Sequence, residues 1–411
     1  MEMLESYKEK IESSKYEYIP IVLGSNINAL GIVRSLGENQ LPVIVADHEN
    51  GVAFYSKYAC PVKIIDCVLD RDGFINSLHK IASFLESHNR RGILYFSTDA
   101  HLFAVGENKS LIENELKIVM NEWDDVKKCI DKSYLYKEAE RLNIPYPQTY
   151  YAKNSNDMIY ATQMLTYPIL IKPAITIGFS NIYKKAIIVN GDNELLVVRD
   201  EINNLGLSDY ELIMQEMIPG SVENLYTFSS YSNKNGDVKA YSIGHKIRQT
   251  PPETGTITSG RVIDHHDLGI LGISFIKGLR YYGISNTEFK YDSRDGKFKL
   301  IEINPRPGLW NYSATAAGVN LSWIAYQNVV LGISEPIKSS DKELIWIYDL
   351  MDIIRAVFSN RYGHDKSRIS LSRWIRSVRG HRTYAIWHPR DIKPFIKFIL
   401  DLPRKFISRI R

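Results

Sequence analysis

The stretch KFKLIEINPRPGLWN, residues 297–311, decides how this chain is read. It is an apolar strand that nevertheless carries Glu302, Asn304 and, between Pro305 and Pro307, Arg306. Side chains alternate along a strand, so Phe298, Leu300, Glu302 and Asn304 share one face, and Lys299, Ile301 and Ile303 share the other. Two oxygen-bearing groups therefore project together at the strand's end. A strand that only filled a core would carry neither.

Just upstream, NTEFKYDSRDG (286–296) reads as a partner strand bearing Glu288, followed by turn residues. A loop centred on Asp295 sets Glu288 opposite Glu302. A strict two-residue Asp295-Gly296 turn puts them on opposite faces unless a bulge restores the register. Opposed carboxylates repel unless something neutralises them. Mg²⁺ does so with one or two carboxylates plus phosphate oxygens, keeping several waters. Asn304 adds a neutral oxygen, and Arg306 a planar cation suited to phosphate or carboxylate. A surface hairpin with solvated acids is the plain alternative, and the apolar flanks speak against it.

Further out, YIPIVLGSNINALGIVRSLGENQLPVIVADH (18–48) reads as strand, turn, helix and second strand, a βαβ unit of a parallel sheet. GSNINALG lacks the GxGxxG pattern, with Asn26 where a second glycine must admit a pyrophosphate, so a dinucleotide site is not expected. Gly24–Asn28 and Asp47 either line a small-molecule pocket at the strand ends or close turns. GILYFSTDAHLFAV (92–105) repeats the theme: Ser97, Thr98 and Asp99 are ligand groups at a strand end, or Thr98 or Asp99 is a helix cap. A mixed-charge helix from about 121, ended by Pro145, is followed by strands at 167–174, 184–190, 212–220, 224–232 and 238–249. Residues 261–283 have a helical pattern, and 286–304 a hairpin pattern.

The chain has 411 residues, 44% hydrophobic and 24% charged, as in an ordinary folded protein of two or three domains. Three cysteines without metal spacing fit a reducing compartment. The N-terminal residues are charged throughout, and no run approaches the roughly 18 apolar residues of a membrane span. A cytoplasmic location is the expectation.

TEFKYDSRDGKFKLIEINPRPG (287–308) resembles the metal-binding hairpin of the ATP-grasp superfamily, ligases that couple ATP cleavage to joining a carboxylate with a nucleophile. The resemblance covers roughly residues 20–330 and is strongest over 211–308. It implies an α/β architecture: a Rossmann-like parallel sheet over 1–120, then an ATP-grasp domain over 121–330 with a lid at about 150–215. A basic helical extension over 331–411 would follow. It implies ATP with Mg²⁺, or Mn²⁺ in its place. Lys132 and Lys172 match the phosphate lysines, and a lysine inside an apolar strand is costly unless its charge finds a partner. The segment LIMQEMIPGSVE resembles the adenine hinge, with backbone groups of Glu216, Met217 and Ile218 reading the base, Gln215 near its amino group and Glu223 on the ribose. Glu288, Glu302 and Asn304 match the metal ligands. Arg306, Lys246 and Arg248 are the cations for the transferred phosphoryl group. By alternation Lys246 and Arg248 share a face, and His245 points away.

The chain departs from many members in its lid, where KPAITIGFSNIYKK offers Gly178 alone, with Ser180 and backbone amides to cover phosphates. Short lids of this kind resemble the branch of D-aspartate ligases and ATP-dependent carboxylate-amine ligases. The implied reaction is attack of a carboxylate on the γ-phosphate, then displacement of phosphate from the acyl phosphate by an amine, with a cell-envelope or polysaccharide precursor as one substrate. Acid-thiol ligation, carboxylation and non-catalytic nucleotide binding are the alternatives. Similar enzymes are commonly dimers.

From Lys366 to Arg411 there are 13 Lys or Arg against two acids, so this segment carries +11 and the rest −7 of the overall +4. Apolar residues interleave with the cations. The segment reads as interfacial helices attracted to anionic lipid, or as an ordinary packed helix with a basic rim; no nucleic-acid module accompanies it. Pro403 is expected to interrupt the last helix.

Overall fold

The computed structural model describes residues 2–174, 186–250, 255–340, 342–358 and 368–407. The chain forms two compact units: Met1–Trp123, Phe228–Asn286 and Asn304–Arg411 make the first, and Asp124–Thr227 and Thr287–Ile303 the second.

In the first unit, strands β1 (Tyr18–Leu23), β2 (Val43–Asp47), β3 (Ala59–Lys63), β4 (Arg91–Phe96) and β5 (Leu116–Ile118) form a parallel sheet in the order β3-β2-β1-β4-β5. All five residues of β2 are buried, as expected of a parallel strand covered on both faces. Chain order reverses between β1 and β4, so their carboxyl ends flank a crevice of the kind that collects ligands. Two caps shape its rim. Asn26 accepts the Ala29 amide and starts the helix Ile27–Gly37. Thr98 accepts the His101 amide and starts Asp99–Glu107, the cap foreseen as one of two readings. Gly24, at φ +104°, permits the turn, and a Cβ there would collide with Ser97 Oγ.

The second unit begins as two helices, Trp123–Ile130 and Lys132–Arg141, where the sequence suggested one. Asp131 divides them, its carboxylate capping the Ser133 amide. Strands β6 (Thr149–Ala152), β7 (Ile169–Pro173), β8 (Ile187–Val189) and β9 (Leu212–Glu216) form an antiparallel sheet in the order β6-β9-β7-β8. Ile169, Ile171 and Met214 pack with Leu195, Val198 and Ile202 of the helix Asp192–Asn204.

Strands β10 (Leu225–Ser232), β11 (Val238–Thr250), β12 (Thr256–Ile263), β13 (Gly283–Asp292) and β14 (Lys297–Asn304) come next. The expected hairpin is the β13–β14 pair. The expected helix from 261 instead starts at His266, because Arg261–Ile263 pair with Ile243–His245 and continue β12; His265 caps the helix His266–Gly278.

The C-terminal segment contains the expected helices and, in addition, strands. After β15 (Lys338–Ser339), β16 (Leu344–Ile347) pairs with β12, and β17 (Arg382–Tyr384) pairs in parallel with β16, so the basic segment contributes a strand to the first unit's second sheet. The Arg34 guanidinium, fully buried, meets Asp391 at 2.9 Å and also donates to the carbonyls of Ile386 and Asp391. Ser56 Oγ and the Lys57 amide complete the shell around Asp391. The final helix, Lys393–Ile407, packs Phe398 into the core with Phe395 and Leu402 beside it. It runs through Pro403 without a break. The proline costs the helix one backbone bond, a local loss of about 3 kcal/mol, and the docked aromatic residues hold the preceding turns.

Candidate active site

The second unit gathers Lys132, Lys172, Tyr136, Gln215 and Glu302. Lys132 opens its helix, its amide bonded to the Ala174 carbonyl. Lys172 sits on β7, facing away from Ile169 and Ile171 by strand alternation. Both are buried, at 9% and 7% exposure. Tyr136 lies one helical turn after Lys132, on the same face. Its hydroxyl accepts from Lys172 Nζ at 3.0 Å and donates to the Ile301 carbonyl at 2.7 Å. Gln215 is held by its amide nitrogen, which donates to Thr149 Oγ1 at 2.7 Å, so its oxygen turns toward Tyr136.

Burial pushes the Lys172 ammonium down to about 8 and lowers Lys132 as well, while Glu302 pulls both back toward the charged form. Two buried ammonium groups thus lean on the same carboxylate. Such a place favours a further anion, and phosphate oxygens suit it.

The hinge residues have structural partners of their own. Burial alone would raise Glu216, but the Gln148 amide, Lys299 and Arg294 hold its carboxyl below the usual value. Asp292 lies between Arg294 and Lys299, at 2.5 and 2.7 Å, and is held well below the carboxylate range by them. The amides of Glu216 and Met217 donate to the Gln148 and Pro168 carbonyls, and the Ile218 carbonyl accepts from Lys290 Nζ at 2.6 Å. These three backbone groups are therefore already bonded here. Glu223 is exposed, at a short turn whose Ser221 caps its amide.

Glu288 and Glu302 are each partly exposed on β13 and β14. Among the described residues no group of three or more His, Cys, Asp or Glu is arranged to hold a metal ion. Mg²⁺ carried on nucleotide phosphates needs only one or two carboxylates, so the donor set fits that use.

In the first unit, Arg306 grips Asp99 through Nε and Nη2 at 2.6 and 2.7 Å, and Nη2 lies 3.4 Å from Asn304 Oδ1. Two ligand candidates are thereby tied to each other. Asn28 donates to the carbonyls of Ser97 and Pro307, fixing the turn that carries Arg306. Asp47 is buried and takes Ser25 Oγ at 2.7 Å and His48 Nδ1 at 3.2 Å. His101, buried under Gly24, is pushed below its ordinary value by burial.

Lys246 and Arg248 do not share a face as alternation suggested. Lys246 pairs with Gly260 and Arg248 with Ser259, so Ile247 is an extra residue in a bulge, and the bulge turns the two cations apart. Arg248 forms a bidentate pair with the buried Asp352, at 2.9 and 2.6 Å, and reaches Ser377 Oγ at 2.7 Å. Trp374 Nε1 donates to the same carboxylate at 2.7 Å. Asp352, Trp374 and Tyr136 were not singled out from sequence. Only Tyr136 left a signal, its position one turn after Lys132. Gly178 and Ser180 lie outside the described residues.

No protein-family model matches the chain. It is 24% identical over 399 residues to a D-aspartate ligase of Enterococcus faecium, covering 87% of this chain and 93% of that one. Among solved structures, the biotin carboxylase domain of a Hydrogenobacter thermophilus 2-oxoglutarate carboxylase, in complex with MgADP and bicarbonate, aligns over 79% of this chain and 73% of its own. The TM-score is 0.61 and the identity 15%. An L-amino acid ligase from Bacillus licheniformis aligns over 77% and 75%, with TM-score 0.57 and 14% identity. The fold is that of the ATP-grasp enzymes. Over most of its length the chain is a homologue of D-aspartate ligase.

Proposed function

We propose that the chain binds MgATP and joins a small carboxylate to an amine through an acyl phosphate, releasing ADP and phosphate. The observation that carries this reading is the burial of Lys132 and Lys172 with Glu302 drawing both toward the charged form, which sets two cations where phosphate oxygens can be received. The similarity to a D-aspartate ligase over 87% of the chain favours an amine over a thiol as acceptor. The structural likeness to a carboxylase keeps carboxylation as the second reading.

In this reading Lys132 and Lys172 hold the phosphates, and Tyr136 keeps the Lys172 ammonium aimed. Glu302, with Glu288 and Asn304, would hold Mg²⁺, which screens the charge of the triphosphate. Gln215, Glu216, Met217, Ile218 and Glu223 form the wall for adenosine. Arg306 meets phosphate or substrate carboxylate after exchanging Asp99 for it. Lys246 remains a candidate for the transferred phosphoryl group, and Arg248 is assigned a bracing part, given its pairing with Asp352. Residues 1–120 supply the substrate-facing strand ends; residues 121–330, with a lid over about 150–215, supply the nucleotide site. A carboxylate is already nucleophilic and phosphate leaves readily, so positioning and charge neutralisation are what the protein must provide.

We assign the enzyme to the cytoplasm, with an envelope or polysaccharide precursor as one substrate. ADP formation from ATP, screened over pairs of amino acids and other small carboxylates, tests the reading. Release that needs both an acid and an amine, with a product one water lighter than their sum, supports it. Release driven by bicarbonate, with a carboxylated acceptor, selects the second reading.

A further inference from the structure

The final helix has more apolar surface than the core covers. Phe395, Phe398 and Leu402 face inward. Ile392, Ile396, Ile399 and Leu400, spaced i, i+4, i+7 and i+8, form an adjoining stripe that faces solvent, with Ile396 52% and Leu400 68% exposed. Trp387 stands exposed just before the helix, its ring edge against Phe395. A helix whose apolar arc only had to dock on one core would end that arc where the core ends. Here the arc continues by two side-chain rows.

The exposed charges bordering the stripe are of one sign. Arg390 and Lys393 are exposed, and Lys397 and Asp401 neutralise each other at 2.8 Å. The segment from Lys366 to Arg411 carries +11. No helix among the described residues is long and apolar enough to cross a membrane. We propose that this face, Trp387 with the Ile392–Leu400 stripe and the cations Arg390 and Lys393, docks on an anionic lipid surface, with the helix lying in the plane of the headgroups. Apolar side chains enter the acyl boundary, an indole sits at headgroup level, and lysine and arginine reach back to phosphate. A second copy of the chain is the competing occupant. An isologous contact would set the same basic residues against themselves, and charge therefore favours lipid over self-association.

Co-sedimentation of the full-length chain with phosphatidylcholine vesicles, with and without phosphatidylglycerol, tests this. Truncation after residue 390 would sever Asp391 from Arg34, so point substitutions at exposed positions are the right variants. Binding to the anionic vesicles is expected to weaken about tenfold or more in Ile396→Glu/Leu400→Glu. It is expected to weaken about fivefold for each cation lost in Arg390→Gln and Lys393→Gln. Unchanged melting curves identify variants that remain folded, and the lysine and arginine variants serve if the glutamates disturb the helix. The proposal is overturned if the intact chain ignores the anionic vesicles, or if folded variants pellet as the parent does. It is also overturned if Ile396→Glu/Leu400→Glu dissolves a dimer without altering vesicle binding. ATP-dependent ligation in detergent-free buffer is read separately, so failure here leaves the ligase reading standing.

Discussion

Lys172 and Tyr136 are joined by a 3.0 Å hydrogen bond between two buried side chains, and the Tyr136 hydroxyl donates onward to the Ile301 carbonyl at 2.7 Å. The tyrosine is thus the link between a lysine on β7 and the backbone of β14. Tyr136→Phe strands the Lys172 ammonium without its acceptor and leaves the Ile301 carbonyl without this donor. A loss of roughly 1–3 kcal/mol is expected in urea unfolding. Nucleotide affinity should fall with it, measured by calorimetric titration with ATP.

The Lys172 ammonium also sets a pH dependence. Its value falls from 10.5 to about 8 in the folded chain because burial disfavours the charge. Between those two values the unfolded chain binds more protons, so this group makes the fold more stable as pH rises through the window. Nucleotide binding runs the other way, since phosphate needs the ammonium. Above pH 8, ATP binding should therefore take up protons, and affinity should decline with pH. Calorimetry in two buffers of different ionisation enthalpy reads the uptake directly, and Lys172→Met should reduce it, leaving the part that Lys132 contributes.

Glu302 pulls both lysines toward their charged forms and is assigned to the metal on the phosphates. Glu302→Gln removes that charge while preserving shape. ADP release should drop about a hundredfold or more, with secondary structure and melting profile retained. Unchanged turnover in a folded variant would remove the carboxylate from the site.

Arg34 and Asp391 are both almost wholly inaccessible and meet 357 residues apart in sequence. Asp391→Ala leaves the guanidinium buried without its counter-ion. Stability should fall by about 3–5 kcal/mol, seen as a lower urea midpoint. A larger loss is expected on removing everything after residue 390, which also takes Phe398 out of the core.

Much of this was readable from the chain because it rests on local rules. β1, the turn at Gly24 and the helix after Asn26 follow from apolar runs and cap chemistry. The β13–β14 hairpin follows from a DSRDG turn between alternating strands, and the pairing of Lys132 with Lys172 followed from a resemblance that the buried geometry suits. What was not readable depends on distant partners. Arg248 looked available because Asp352 lies 104 residues on and Trp374 still further. The bulge at Ile247 is set by pairing with β12, which no pattern within β11 reveals. The start of the helix at His266 was missed for a like reason, since residues 261–263 suit either period until a partner strand claims them. The basic segment looked detached by charge, yet β17 and Asp391 are fixed by contacts with β16 and Arg34.

The central claim is that a substrate carboxylate attacks the γ-phosphate of ATP. Once the acid has been identified by screening, the direct measurement is ligation with that acid carrying ¹⁸O in its carboxylate, followed by mass analysis of the released phosphate and nucleotide. One labelled oxygen in inorganic phosphate is expected for each amide formed, with ADP unlabelled. Label in AMP, or phosphate free of label while amide accumulates, would contradict it.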